Sequence, residues 1–156
     1  MSLNQVSLNQ DPFSQSAISG AGKALAVEGS SSAGERIPLV LVADDDDDSL
    51  VLMSYALELL GVTFIATKSG HEAMAISNQY EFSLILLDIL LPDADGIQIC
   101  QWLRQNPRTW QVPVVAVTAL AQPADRDRIL KAGFTDYLVK PYMLEDLNSL
   151  IQRCLS

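Results

Sequence analysis

Leu39-Val40-Leu41-Val42-Ala43-Asp44-Asp45-Asp46-Asp47-Asp48 places five apolar residues directly before five aspartates. The apolar half shows no polar alternation, so it predicts a strand buried on both faces, as in a parallel sheet covered by helices. The acids mark the point where that strand leaves the core. Two later stretches repeat the pattern. Leu84-Ile85-Leu86-Leu87 ends in Asp88, and Tyr137-Leu138-Val139 ends in Lys140 followed by Pro141.

Working outward, the segments between these runs carry helical spacing. Leu52, Tyr55, Ala56, Leu59 and Leu60 share one helical face, and Gly61 follows as a stop. Thr63 to Thr67 reads as a second strand. Ser69 and Glu72 have the spacing of a capping box, which opens a helix running to about Asn78. After the strand at Leu84 to Asp88, Pro92 and Gly96 frame a loop, and a helix with Ile97, Cys100 and Leu103 ends near Pro107. Val112 to Thr118 predicts the fourth strand. A helix from about Ala124 to Ala132 is closed by Gly133. Tyr137 to Val139 is the fifth strand, and Leu144, Leu147, Leu150 and Ile151 mark a last amphipathic helix. Five buried strands alternating with five helices predict an α/β fold, a doubly wound five-stranded parallel sheet. Right-handed crossovers bring all strand C-termini to one edge, where Asp44, Asp45, Asp88, Thr118 and Lys140 would meet.

Residues 1 to 36 differ in composition. They are rich in Ser, Gly, Asn, Gln and Ala with Phe13 as their one aromatic, and they predict a disordered leader before a folded unit at 37–156. The 156-residue chain has a formal net charge of -9, which disfavours contact with nucleic acid or an anionic membrane surface. Cys100 and Cys154 are isolated, which suits a reducing compartment. No stretch approaches the roughly 20 apolar residues of a membrane span, and no signal peptide is evident, so the expected location is the cytoplasm.

Five adjacent carboxylates repel one another. Alone the run reads as a solvated acidic turn; with Asp88 at the same edge, a cation is the better explanation, because unpaired buried charge is costly. Few carboxylates and an incoming phosphate suit magnesium. Asp46 to Asp48 are placed to cap the next helix and favour its dipole. Asp88 is then a nucleophile able to form an acyl phosphate, Lys140 an opposing charge, and the Thr118 hydroxyl a donor to a phosphoryl oxygen. Taken singly, Thr118 also suits a strand-end turn, and Lys140 a surface lysine or a plain partner for Asp88. His71 reads as a solvent-facing helix residue and Cys100 as a packed thiol, while Trp102 and Trp110 fit either core or partner surface. Asp93 and Asp95 read as turn-forming or helix-capping acids.

Four stretches in order carry a family resemblance: Val40 to Asp46, Leu86 to Gly96, Val115 to Ala121, and Asp136 to Pro141. Residues 37 to 156 resemble a two-component response-regulator receiver domain of the flavodoxin-like, chemotaxis-regulator type. The resemblance implies a signalling switch rather than an enzyme, with Asp88 phosphorylated by a partner's phosphohistidine. It implies Mg2+ held by Asp44, Asp45, Asp88 and the Leu90 backbone carbonyl, a switch pair of Thr118 and Tyr137, and a cis Lys140-Pro141 bond. Ala119 leaves access to Asp88. Leu90 and Leu120 depart from members with polar side chains at these positions, and predict slow self-hydrolysis.

The partners implied are a histidine kinase or histidine phosphotransfer protein, and a downstream protein or second copy on the face formed by 124–132, 137–139 and 144–154. The chain stops soon after the fifth helix without a helix-turn-helix, so output through a partner is expected. A receiver fragment or relay intermediate of a hybrid histidine kinase is the alternative within the fold. A flavodoxin-like cofactor binder shares the architecture but needs a Ser/Thr/Gly phosphate loop after the first strand, where this chain has its aspartate run. A haloacid-dehalogenase-like aspartyl phosphatase would use Asp44 as nucleophile and Asp46 as acid/base.

Overall fold

A computed structural model describes residues 37–156; the leader expected at 1–36 lies outside the described residues. Five strands form: β1 Leu39–Ala43, β2 Thr63–Thr67, β3 Leu84–Leu87, β4 Val114–Thr118 and β5 Asp136–Val139. They alternate with helices α1 Asp47–Leu59, α2 Gly70–Ser77, α3 Gly96–Gln105, α4 Pro123–Lys131 and α5 Leu144–Leu155. The sheet order is β2-β1-β3-β4-β5 and every pairing is parallel. This is the doubly wound fold that the apolar runs predict.

Side chains alternate along each strand, so each strand feeds two cores. Val40, Val42, Leu84, Leu86, Val115 and Val117 pack beneath α1 and α5, against Met53, Leu57, Leu147 and Ile151. Leu41, Ala43, Ile85, Leu87 and Ala116 face the other way, against Ile76, Ile99, Leu103 and Ile129 of α2, α3 and α4. Each fully buried Leu or Ile contributes roughly 1.5–3 kcal/mol of transfer free energy. A charge at Leu86, which is 0% exposed, would break this sandwich.

The glycine stops behave as the spacing predicts. Gly61 at φ +70° and Gly133 at φ +111° follow the ends of α1 and α4 in the left-handed region that other residues rarely adopt. The fourth strand begins at Val114, two residues later than the sequence pattern predicts. Pro113 has no N–H to give the ladder, and the Val112 carbonyl is taken by Arg104 Nη1 at 2.6 Å. Among the described residues no helix is long and apolar enough to cross a membrane.

Candidate functional site

The register brings the acids together. Ala43 and Leu87 are partners across β1 and β3, so the next residue on each strand, Asp44 and Asp88, lies at the same level. The Asp88 N–H donates to the Ala43 carbonyl at 2.8 Å, and the Asp44 N–H to Thr67 at 3.0 Å. On the other side, Thr118 pairs with Val139, and the Lys140 N–H donates to the Thr118 carbonyl at 2.8 Å. Strand order reverses between β1 and β3, and the crevice at such a reversal is where open α/β sheets place their sites.

Each acid is aimed by a short local bond. Asp44 Oδ1 accepts the Asp46 N–H at 2.9 Å, and Asp88 Oδ1 accepts the Leu90 N–H at 3.0 Å. The free oxygens then face Lys140, whose Nζ lies 2.8 Å from Asp44 Oδ2 and 3.3 Å from Asp88 Oδ2. Gly96 makes room for this loop. Its N–H donates to the Ile89 carbonyl at 2.9 Å, and a Cβ there would come within 2.5 Å of Ile89 Cα.

Electrostatics follow from burial. Asp44 is fully buried, which pushes its carboxyl up to about 6; the Lys140 contact and the Asp46 amide oppose that push, and the Asp88 charge adds to it. Burial also works against charge on Lys140, but the contact with Asp44 and the charges of Asp44 and Asp88 outweigh it, so its ammonium is held above the usual lysine range. Among the described residues Asp44 Oδ2 has no well-directed hydrogen bond, and the Lys140 ammonium lies 2.8 Å from it.

Asp44, Asp45 and Asp88 each offer a carboxylate oxygen, and these oxygens lie within 4.8 Å of one another. Three carboxylates against one ammonium leave negative charge to be balanced. The donor set is all oxygen, with no thiolate or imidazole, so the residues fit a hard divalent cation such as magnesium.

The other expected residues lie on β4, β5 and the loops that follow the strands. Thr118 is fully buried at the end of β4, and its hydroxyl accepts the Leu120 N–H at 3.2 Å. Tyr137 is half-buried on β5, in register with Ala116. Leu90 is 54% exposed beside the acids. The Lys140-Pro141 bond is cis. Ala119, Lys140, Pro141 and Tyr142 line a cavity of about 400 Å³ with Asp46, Asp48, Ser49 and Leu52 of the facing loop and helix. A larger groove, about 580 Å³, opens around Ser83 and Pro113 at the opposite ends of the strands, away from the acids.

The rest of the aspartate run serves α1. Asp46 is its N-cap, accepting the Ser49 N–H at 2.9 Å, while Asp47 and Asp48 occupy the first turn. Asp47 also pairs with Lys68. A cap so engaged is ill placed as the acid/base that the phosphatase alternative requires. His71 is exposed, and Cys100 is fully buried with its thiol pushed up to about 11 by burial. Trp102 packs against the core, whereas Trp110 is exposed.

Sequence reasoning missed Tyr142. Its hydroxyl is buried without a hydrogen-bond partner, and burial with the nearby Asp44 and Asp46 charges pushes it up to about 12. Its place two residues after Lys140 was visible in the chain, but the direction of the ring was not.

Comparison with known proteins agrees with this geometry. The response regulator receiver domain model matches residues 40–152, and the chain belongs to that family. It is 40% identical over 114 residues to the signal transduction histidine-protein kinase BarA of Escherichia coli, covering 73% of this chain and 12% of the kinase. It is 34% identical over 102 residues to the polar-differentiation response regulator DivK of Brucella ovis, covering 65% of this chain and 83% of that protein. The chain thus spans about an eighth of the kinase and most of the small regulator.

Among solved structures, chemotaxis response regulator CheY4 of Vibrio cholerae superposes with a TM-score of 0.72 at 26% identity, over 77% of this chain and 100% of that one. The receiver domain of a Pseudomonas aeruginosa sensor histidine kinase, solved with magnesium coordinated in its active-site cleft, gives 0.71 at 28% identity, over 77% and 98%.

Proposed function

We propose that residues 37–156 form a receiver that accepts a phosphoryl group on Asp88 from a partner's phosphohistidine. The observation that carries this reading is the meeting of Asp44, Asp45, Asp88 and Lys140 at one sheet edge. Asp44, Asp45, Asp88 and the Leu90 backbone carbonyl would hold Mg2+, which when bound neutralises charge on the phosphoryl oxygens.

The chain's own residues then divide the work. The Leu90 N–H occupies Asp88 Oδ1 and leaves Oδ2 toward Lys140. A carboxylate oxygen of Asp88 attacks phosphorus, the new O–P bond forms as the donor's N–P bond breaks, and the donor imidazole leaves. Lys140 shifts from bridging two carboxylates to countering the transferred phosphoryl charge. The Thr118 hydroxyl gives a hydrogen bond to a phosphoryl oxygen, and Tyr137 turns inward into the space behind it. That rearrangement alters the face formed by α4, β5 and α5, where a downstream protein or a second copy would read it.

The chemistry belongs in the cytoplasm, where phosphohistidine donors are made. A second reading is favoured by the BarA match: a receiver that passes its phosphoryl group on to a histidine phosphotransfer domain.

Intact-protein mass spectrometry after incubation with acetyl phosphate and magnesium tests the first reading. One added phosphoryl group is expected on the wild type and none on Asp88→Asn or after chelation. A group retained by Asp88→Asn would assign the role to another residue. Onward transfer to an isolated histidine phosphotransfer domain distinguishes relay from terminal switch.

A further inference from the structure

Helix α4 is thinly held. Ile129 is its one buried residue among Pro123–Lys131, against four in α1. It begins with Pro123 and its first turn is stitched by Asp125, which accepts the Gln122 N–H at 3.2 Å. Two arginines follow. Arg128 lies 3.6 Å from Asp125, a pairing within the helix. Arg126 instead reaches across to β5, where its guanidinium carbon lies 5.7 Å from the centre of the Tyr137 ring.

That separation is within the range of a cation–π contact, in which the negative face of the ring attracts the planar cation. Arg126 is exposed, and the half-buried Tyr137, which packs against the core on one side, has its ring face toward the guanidinium. The ring cannot turn inward while keeping this stacking, because the cation is attached to a surface helix.

From this geometry we infer that Arg126 is a positioning residue for the switch: its guanidinium holds the Tyr137 ring outward and ties the ring's position to that of α4. The inference rests on the phosphoacceptor reading above and adds a restraint to it. Phosphorylation must release this contact, so part of its free energy goes into freeing the ring. The restraint also ties the outer face of α4 to the ring on β5 through one side chain on each element.

The test uses the full chain labelled with 3-fluorotyrosine, with the Tyr137 resonance assigned by Tyr137→Phe, and beryllium fluoride with magnesium as the phosphoryl mimic. In Arg126→Gln the unliganded Tyr137 resonance is expected to move toward its liganded position. Apparent affinity for beryllium fluoride should tighten about two- to fivefold, the worth of one exposed cation–π contact. Arg126→Lys keeps a cation and should recover most of the wild-type behaviour. Arg126→Gln made in a Tyr137→Leu background should change affinity no further.

If wild type binds beryllium fluoride but Asp88→Asn does not, while Arg126→Gln matches wild type in resonance and affinity, the restraint is wrong and the phosphoacceptor reading stands. A lower melting temperature in Arg126→Gln with an unmoved Tyr137 resonance would also overturn it, leaving Arg126 a packing residue. If wild type and Asp88→Asn bind alike, the phosphoacceptor reading fails and the restraint falls with it.

Discussion

The Asp93 carboxylate caps a helix to which it does not belong: its Oδ1 accepts the Gly70 N–H, at the start of α2, at 2.8 Å. Its Oδ2 accepts the His71 N–H at 3.0 Å and the Ser69 hydroxyl at 2.8 Å. The loop after Asp88 is thereby fastened to the far side of the site. Gly70 permits the close approach, since a Cβ there would lie 2.7 Å from Ile99 Cδ1 and 2.9 Å from Ala94 Cβ.

Asp93→Asn should therefore cost about 1 kcal/mol at neutral pH, the usual worth of a cap, with the 30% exposure of the side chain keeping it from being larger. Burial raises the Asp93 carboxyl, but the bonds from His71, Gly70 and Ser69 outweigh it and hold it at about 2. Its folded value lies below the unfolded 3.8, so its stabilisation is complete above that value and is lost as pH falls toward 2. The gap between wild type and Asp93→Asn in urea midpoints should be present at about pH 5 and close as pH falls below about 4. An unchanged gap near pH 2.5 would remove this account.

Arg104 performs a comparable task at the other end of the sheet. Its Nε donates to the Gly133 carbonyl at 2.8 Å, Nη1 to Val112 at 2.6 Å and Trp110 at 3.1 Å, and Nη2 to the Thr135 hydroxyl at 3.2 Å. Arg104→Met leaves the Gly133 and Val112 carbonyls without this donor and should destabilise by about 2–3 kcal/mol in denaturant titration. Arg104→Lys should recover little, because an ammonium cannot reproduce the planar fork. Full recovery with lysine would mean that charge, not geometry, holds the three segments together.

These two residues show where the sequence stopped being readable. The strands were legible because apolar runs without alternation have few other uses in a chain of this length. The site was legible because Asp44, Asp88, Thr118 and Lys140 each end a strand, and parallel topology sends every such end to one edge. Asp93 read as a local capping acid, yet its principal target lies 23 residues earlier, and local spacing rules see only neighbours.

The box at Ser69 and Glu72 is only half formed. Ser69 Oγ accepts the Glu72 N–H as expected, but the Ser69 N–H donates to the Thr67 hydroxyl, which itself bonds Glu72. The tryptophans could not be told apart because Trp102 lies inside α3, where helical phase sets burial, and Trp110 in the turn beyond it.

Among the described residues Lys140 is the cation that bridges the acids, so Lys140→Met should leave Asp44 and Asp88 buried without that counter-charge. In chelator the loss should be about 3 kcal/mol, as for other buried pairs broken from one side. Millimolar magnesium should restore more stability to the variant than it adds to wild type, because it replaces the missing charge. Thermal melts with and without magnesium measure both. An equal gain in the two proteins would mean that the cation does not bind beside Lys140.

Leu90 and Leu120 would bear on how long a phosphoryl group on Asp88 lasts. Leu90 is 54% exposed beside Asp88, and Leu120 is half-buried two residues beyond Thr118. Neither side chain can hydrogen-bond a water lined up against a phosphoryl group, so phosphorylated Asp88 should decay slowly. Leu90→Asn with Leu120→Glu supplies an amide and a carboxylate at those two points. The double variant should lose its phosphoryl group on the order of tenfold faster, followed by mass spectrometry after the donor is removed. The effect should need both positions facing the phosphoryl group, so the single variants should each give less than their combination. Identical decay in wild type and double variant would mean that attacking water is excluded by something other than these two leucines.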